Sequence, residues 1–315
     1  MEPRKIVKTA YGYLKMPEWH DDLIVRALEL YGEWAYVEQQ LLSSMIRPTD
    51  TIWDVGAFLG TFGLGISQLS MQSPAKIIAF EPNPALFDCL HANLHENAPC
   101  PFEVVPFAVA QSSRLLRPCK DFAVSNAGAI AYEDAESGDS NVLAAKSLYD
   151  LRQDYGNYDI LKLDVEGMED EAIRGDYDFI MSSRPVVWAE CNESLSSIRL
   201  LEALVSLKYE PLYVAFPAFR RHNFNDSKVR MFPMAYEAVL LAAPADRISE
   251  FKWMVEGEDV IVRPVTTSFD LRRALWYTPR WALDEWAGLS SAELVALIGR
   301  QMRNEELVTF LNDRL

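Results

Sequence analysis

TIWDVGAFLG, residues 51–60, is a short apolar run that ends in an acid and turns through two glycines into a stretch of helical spacing. It reads as strand, tight turn and helix. Glycine lets a backbone come close where a side chain would collide, and a ligand at the strand's carboxyl end is one such neighbour. Asp54, at that end, can accept from a cationic amino group. The spacing is DxGxxxG rather than GxGxxG, the fingerprint whose amides hold a pyrophosphate at a helix N-terminus. A carboxylate facing a diphosphate would be repelled. The turn therefore favours a nucleoside without phosphates and disfavours a nicotinamide oxidoreductase.

Outward from this unit the pattern repeats. Apolar runs at 76–80, 102–107, 159–163 and 185–190 alternate with helical stretches, as strand–helix–strand units around a parallel sheet do. The run 76–80 ends at Glu81, followed by Pro82, Asn83 and Pro84, and a carboxylate there can accept from both hydroxyls of a ribose. Runs at 209–216 and 236–243 flank a polar, aromatic loop and read as a hairpin-type pair at a sheet edge. The expected fold class is α/β: a Rossmann-like, doubly wound, seven-stranded sheet with N-terminal helices and a helical C-terminal extension. Two helices are predicted within 18–47, from Leu23, Ile24, Ala27, Leu28 and Leu30, then Val37, Leu41, Leu42 and Met45, with a break at Tyr31-Gly32. Residues 111–141, with SNAG and ESGDS turn chemistry, are expected to form a loop or small hairpin over the site. The tail 245–315 reads as mostly helical. Its Trp253, Trp276, Trp281 and Trp286 suit a core or a dimer contact, which would make the chain a homo-oligomer.

Hydrophobic residues make up 50% of the 315, enough to fill a core. A net charge of −16 disfavours phosphate backbones and anionic lipid, so neither nucleic acid nor a membrane is expected as a partner. No apolar run approaches the roughly 20 residues that span a bilayer, and MEPRKIVKTAYGY lacks the apolar centre of a signal peptide. A cytoplasmic location is expected. Cys89, Cys100, Cys119 and Cys191 are scattered without a CxxC pair and read as reduced thiols.

DVGAFLGTFG, AFEPNPALFDCLHANL and YDILKLDVEGMEDEAIRG occur in that order, with YGEW ahead of the first strand, SNAG in the middle and YEAVLLAAP near the end. Together these motifs resemble the FkbM family of S-adenosylmethionine-dependent methyltransferases, over residues 31–244. The resemblance divides the chain into an N-terminal helical segment (1–50), a cofactor-binding methyltransferase domain (51–244) and the extension (245–315). It implies that Asp54, Gly56, Ala57, Gly60, Glu81, Pro82 and Asn83 hold S-adenosylmethionine, with Ala108 beside the adenine. Glu33 and Asp164 are placed with the cofactor too, and Asn126 and Gly128 with the acceptor. Phe58 stands where the family usually has a small or polar residue.

Methyl transfer is an in-line displacement at an activated carbon, so positioning the acceptor supplies much of the acceleration. An alcohol acceptor must also lose a proton. Asp164 ends the buried strand LKL and Glu166 follows it, so both acids are expected at the ligand-binding face as the catalytic groups. Glu190 ends the next strand and, with Asn192, could join Asp164 in an oxygen-rich place for a magnesium-type ion; helix capping or pairing with Lys162 and Arg174 is the plainer role, and a metal is not expected. Glu190, and His222 between the last two runs, are candidate contacts to the acceptor. His91 and His95 have metal-binding spacing but suit a helix's exposed face. The resemblance implies O-methylation of a small molecule or sugar in a natural-product or glycan pathway. The alternative is a nucleoside-binding module without chemistry that serves as a partner or scaffold.

Overall fold

The computed structural model describes residues 4–70, 74–119, 130, 132–136, 138–139, 141–229, 231, 235–278 and 289–303. A hairpin, β1 (Arg4–Thr9) and β2 (Gly12–Pro17), comes first, with Leu14 and Met16 buried and Tyr13, just ahead of them, exposed. The two expected helices follow as α1 (Leu23–Tyr31) and α2 (Tyr36–Ser43). Asp22 caps α1 by accepting from the Val25 amide at 2.9 Å, and Gly32, at φ 70°, ends it in the left-handed region. The 1–50 segment is therefore a hairpin plus two helices, not helices alone.

Next come β3 (Thr51–Val55), α3 (Thr61–Leu69), β4 (Lys76–Phe80), α4 (Pro84–Asn97) and β5 (Phe102–Val105). The chain then leaves the main sheet. Strands β6 (Ala108–Val109), β7 (Arg114–Pro118), β8 (Tyr132–Asp134) and β9 (Leu143–Lys146) form a second sheet in the order β6-β9-β7-β8, where a loop or hairpin was expected. The main fold resumes with α5 (Leu148–Tyr155), β10 (Ile160–Leu163), α6 (Glu169–Arg174), α7 (Tyr177–Ser183), β11 (Val186–Glu190) and α8 (Leu195–Ser206). It closes with β12 (Leu212–Pro217), β13 (Tyr236–Ala242), α9 (Ala245–Ile248), β14 (Ile261–Pro264), α10 (Ser268–Trp276) and α11 (Ser291–Met302).

The main sheet runs β14-β12-β13-β11-β10-β3-β4-β5, parallel from β11 to β5 and antiparallel on the other side. It has eight strands rather than seven. Because Tyr213, Val214 and Ala215 of β12 are buried, a bare β12 edge would expose an apolar ladder, and Ile261–Pro264 covers it. The sheet thus reaches past Pro244 into the tail, which is part strand as well as helix. Trp253 and Trp276 are exposed, while Trp281 and Trp286 lie outside the described residues.

Both faces of the sheet are covered. On one, Trp53, Leu161 and Val187 pack under Leu148 and Leu151 of α5, Leu200 and Leu204 of α8, and Leu271 of α10. On the other, Ile52, Ile160 and Trp188 meet Val37 and Leu41 of α2 and Phe62 and Ile66 of α3. The tail is also pinned by charge. Arg247 donates to Asp50 Oδ2 at 2.9 Å and to the Met45 carbonyl at 2.6 Å, all in the interior ahead of β3. Removing one partner of such a pair leaves the other's charge buried. Arg247→Ala is expected to cost about 3 kcal/mol in urea unfolding, and a change under about 0.5 kcal/mol would show that the pair contributes nothing.

Candidate active site

The order of parallel strands reverses between β3 and β10. In open α/β sheets a crevice opens there, outside the carboxyl ends. Two cavities occupy this place. A slot at the tips of β3 and β4 is lined by Gly56, Phe58, Glu81, Pro82, Phe107, Ala108, Val109, Ile130, Tyr132 and Met168. A larger cavity of about 330 Å³ lies at the tips of β10, β11 and β13, lined by Trp34, Glu38, Lys162, Trp188, Glu190, Asn192, Phe216 and Glu237. Ile24, Asp164 and Glu166 line both.

At the slot, Glu81 is held by two backbone donors: its Oε2 accepts from the Phe58 amide at 3.0 Å and its Oε1 from the Asn83 amide at 2.8 Å. Each oxygen keeps a lone pair for a further donor. Burial pushes the carboxyl up to about 7, against the pull of those amides. Asn83 itself caps α4 by accepting from the Ala85 amide, with Pro84 at the first helical position, so it sets the slot's rim through the backbone. Phe58 adopts φ 50°, a conformation that an aromatic residue rarely takes and that the small or polar residue usual there tolerates better.

Other expected contacts lie elsewhere. Asp54 does not open onto the slot. It is fully buried on the layer facing α2 and α3, with its Oδ1 3.4 Å from Lys162 Nζ, so the cation beside it belongs to the chain. Gly56, at φ 82°, does line the slot, and it also serves a contact within the chain: an added Cβ would lie 1.8 Å from the Asp164 carbonyl oxygen. Gly60, at φ 84°, starts α3 where a Cβ would press on Leu90 of α4. Ala57 is buried, and its amide, like that of Gly56, donates to the Phe80 carbonyl. Glu33 is also away from both cavities. Its carboxylate takes Arg220 and the Phe224 amide, clamping the 218–229 loop to the end of α1. His222 is exposed in that loop, outside both cavities, while Arg220 and Asn223 turn inward. Asn126 and Gly128 lie outside the described residues.

The shared wall is acidic. Lys162 sits in register with Asp54 on β3 and Trp188 on β11, and its ammonium reaches Asp164 Oδ2 at 3.1 Å and the Gly56 carbonyl at 3.2 Å. Burial alone would discharge it. Asp164, Asp54 and Glu38 more than offset that and hold its pKa above the ordinary lysine value. Glu166 occupies φ 49° in a turn tied by Glu169, whose Oε1 accepts from the Val165 and Gly167 amides at 3.1 and 3.2 Å. A strained backbone of this kind persists only where its surroundings fix it. Burial, with Asp164 and Glu169 nearby, pushes Glu166 up to about 8. Carboxylate oxygens of Asp164, Glu166 and Glu190 all lie within 4.8 Å of one another.

Glu38 was not singled out by sequence, though it lines the larger cavity and accepts from Trp188 Nε1 at 2.7 Å. The signal was present. Positions 38, 41, 42 and 45 form one helical stripe, and an acid leads three apolar residues along it. His91 and His95 are exposed on α4. None of the four cysteines, all among the described residues, is in a disulfide.

A doubly wound sheet with a fixed acid at the second parallel strand's tip and a crevice at the switch point defines a Rossmann-like nucleoside-binding fold. Residues 54–211 match the methyltransferase FkbM domain. The chain belongs to the FkbM methyltransferase family. Among solved structures it is similar to methyltransferase FkbM from Methylobacillus flagellatus KT, at 14% identity and TM-score 0.43, over 67% of this chain and 48% of that one. The chain thus spans about half of that relative's length. It is also similar to precorrin-6y C5,15-methyltransferase from Geobacter metallireducens GS-15 (16% identity, TM-score 0.39, 65% of this chain and 85% of that one). A third is the O-methyltransferase from Bacillus cereus in complex with SAH (12% identity, TM-score 0.39, 66% and 79%). No curated protein matches the chain.

Proposed function

We propose that the chain is an S-adenosylmethionine-dependent methyltransferase acting on a hydroxyl of a small molecule or sugar. The observation that carries this reading is the pair of cavities meeting at one wall of Asp164 and Glu166. The slot suits the cofactor's nucleoside. Glu81 offers two oriented oxygens to a ribose, and Pro82, Phe107, Ala108 and Val109 make apolar walls for a purine. When bound, S-adenosylmethionine supplies an activated methyl: its C–S bond breaks as a C–O bond forms, and S-adenosylhomocysteine leaves with the electron pair.

The chain's own groups handle the acceptor. Asp164 takes the hydroxyl proton, and Lys162 beside it holds the carboxylate in place. Glu166, held above the ordinary carboxylate range by burial and by Asp164 and Glu169, lines the same wall and can hydrogen-bond the acceptor. Asp54 acts at one remove, by holding Lys162. No helix among the described residues is long and apolar enough to cross a membrane.

Incubation with methyl-labelled S-adenosylmethionine and a panel of hydroxylated small molecules and sugars tests the reading. Label in an acceptor, with S-adenosylhomocysteine released in equal amount, supports it. Tight S-adenosylhomocysteine binding without transfer to any acceptor would favour a binding module instead.

A further inference from the structure

The larger cavity holds more carboxyl groups than its lining supplies cations for. Glu38, Asp164, Glu166, Glu190 and Glu237 line it, and the cation in the same lining, Lys162, is already held by Asp164, Asp54 and the Gly56 carbonyl. Glu190 shows the excess at one atom. Its Oε1 accepts from Asn192 Nδ2 at 2.9 Å, whereas its Oε2 is buried and takes no hydrogen bond among the described residues. Trp34, Trp188 and Phe216 line the same cavity.

Carboxylates beside aromatic rings recognise an organic ammonium, because the ring faces attract the cation while the oxygens take its N–H groups. A hydrated divalent ion wants oxygen on every side and gains little from such rings. We propose that the acceptor carries a protonated amino group, as an amino alcohol or aminosugar does, seated between Glu190, Glu166 and the aromatic wall with its neighbouring hydroxyl towards Asp164. This rests on the larger cavity being the acceptor's seat. Burial and mutual repulsion hold Glu166 at about 8 and Glu190 well above the ordinary carboxylate range. An incoming cation favours their ionised forms, so binding should release protons.

Calorimetry on the full chain, free and saturated with S-adenosylhomocysteine, tests this with trans-2-aminocyclohexanol against trans-cyclohexane-1,2-diol, two probes that differ by an ammonium. The ammonium is expected to bind at least about tenfold more tightly and to release protons, as read from buffers of different ionisation enthalpy. Glu190→Gln should remove most of that preference, with Glu237→Gln as a second variant should the first not fold. Equal affinity for amine and diol, or a preference unchanged in both variants, would overturn the proposal. Magnesium chloride binding in place of the amine would overturn it too, in favour of a metal site. S-adenosylhomocysteine binding without an amine preference rejects this inference alone, whereas its failure to bind wild type rejects the methyltransferase reading beneath it.

Discussion

Asp164→Asn is expected to lower turnover by about a thousandfold or more while leaving affinity for S-adenosylhomocysteine within about threefold. The asparagine keeps the shape of the side chain and cannot take a proton. Lys162 would keep Asp54 and the Gly56 carbonyl, so the strand ends should stay together. Single-turnover rates paired with calorimetry separate the outcomes. Full activity would remove Asp164 from the mechanism, and a fall in affinity as large as the fall in rate would make it a binding group instead.

The second large effect is expected at Glu81. Replacing it with glutamine should weaken S-adenosylhomocysteine binding about a hundredfold at pH 8, because two charge-assisted hydrogen bonds to ribose hydroxyls lose the ionised acceptor. Wild type should show a matching pH dependence. Its carboxyl sits at about 7, and hydroxyl donors favour the ionised form, so affinity should be flat above about pH 8 and fall below 7 by up to about tenfold per unit. Binding by the glutamine variant should lack this dependence, and a wild-type affinity that stays level from pH 6 to 8 would show that Glu81 does not meet the ligand as a carboxylate. Stability of the ligand-free protein runs the other way. A carboxyl raised above its ordinary 4.5 favours the fold at low pH, and that contribution is lost as pH climbs through about 7.

The parallel half of the sheet was legible because four of its five strands, β3, β4, β10 and β11, are largely buried runs set off by turn residues. The run 51–55 and the run 76–80 match β3 and β4 to the residue, since Gly56 and Pro82 follow so closely. Strand β14 was not legible: four residues ending in proline carry almost no period, and its pairing with β12 is a tertiary event. The hairpin β1–β2 did carry alternation in Leu14 and Met16, beneath a stretch that was weighed for targeting alone. At the site, Glu81, Asp164, Glu166 and Glu190 could be placed because strand ends converge on one face. Contacts between layers could not be seen. The sequence shows a glycine at 56 but not that the Asp164 carbonyl is what approaches it, and an acid at 54 but not that Lys162 answers it. Glu33 illustrates the same limit, because Arg220 lies 187 positions away in the chain.

Lys162, threaded between acids on its own strand and the next, has a bearing on how this chain can vary over time. Losing the ammonium alone strands the Asp54 carboxylate in a dry layer, whereas losing Asp54 alone leaves Lys162 with Asp164 and the Gly56 carbonyl. Positions 54 and 162 are therefore expected to be epistatic in one direction, the lysine tolerating loss of its charge only where the acid has gone first, so that drift between homologues follows that order of steps.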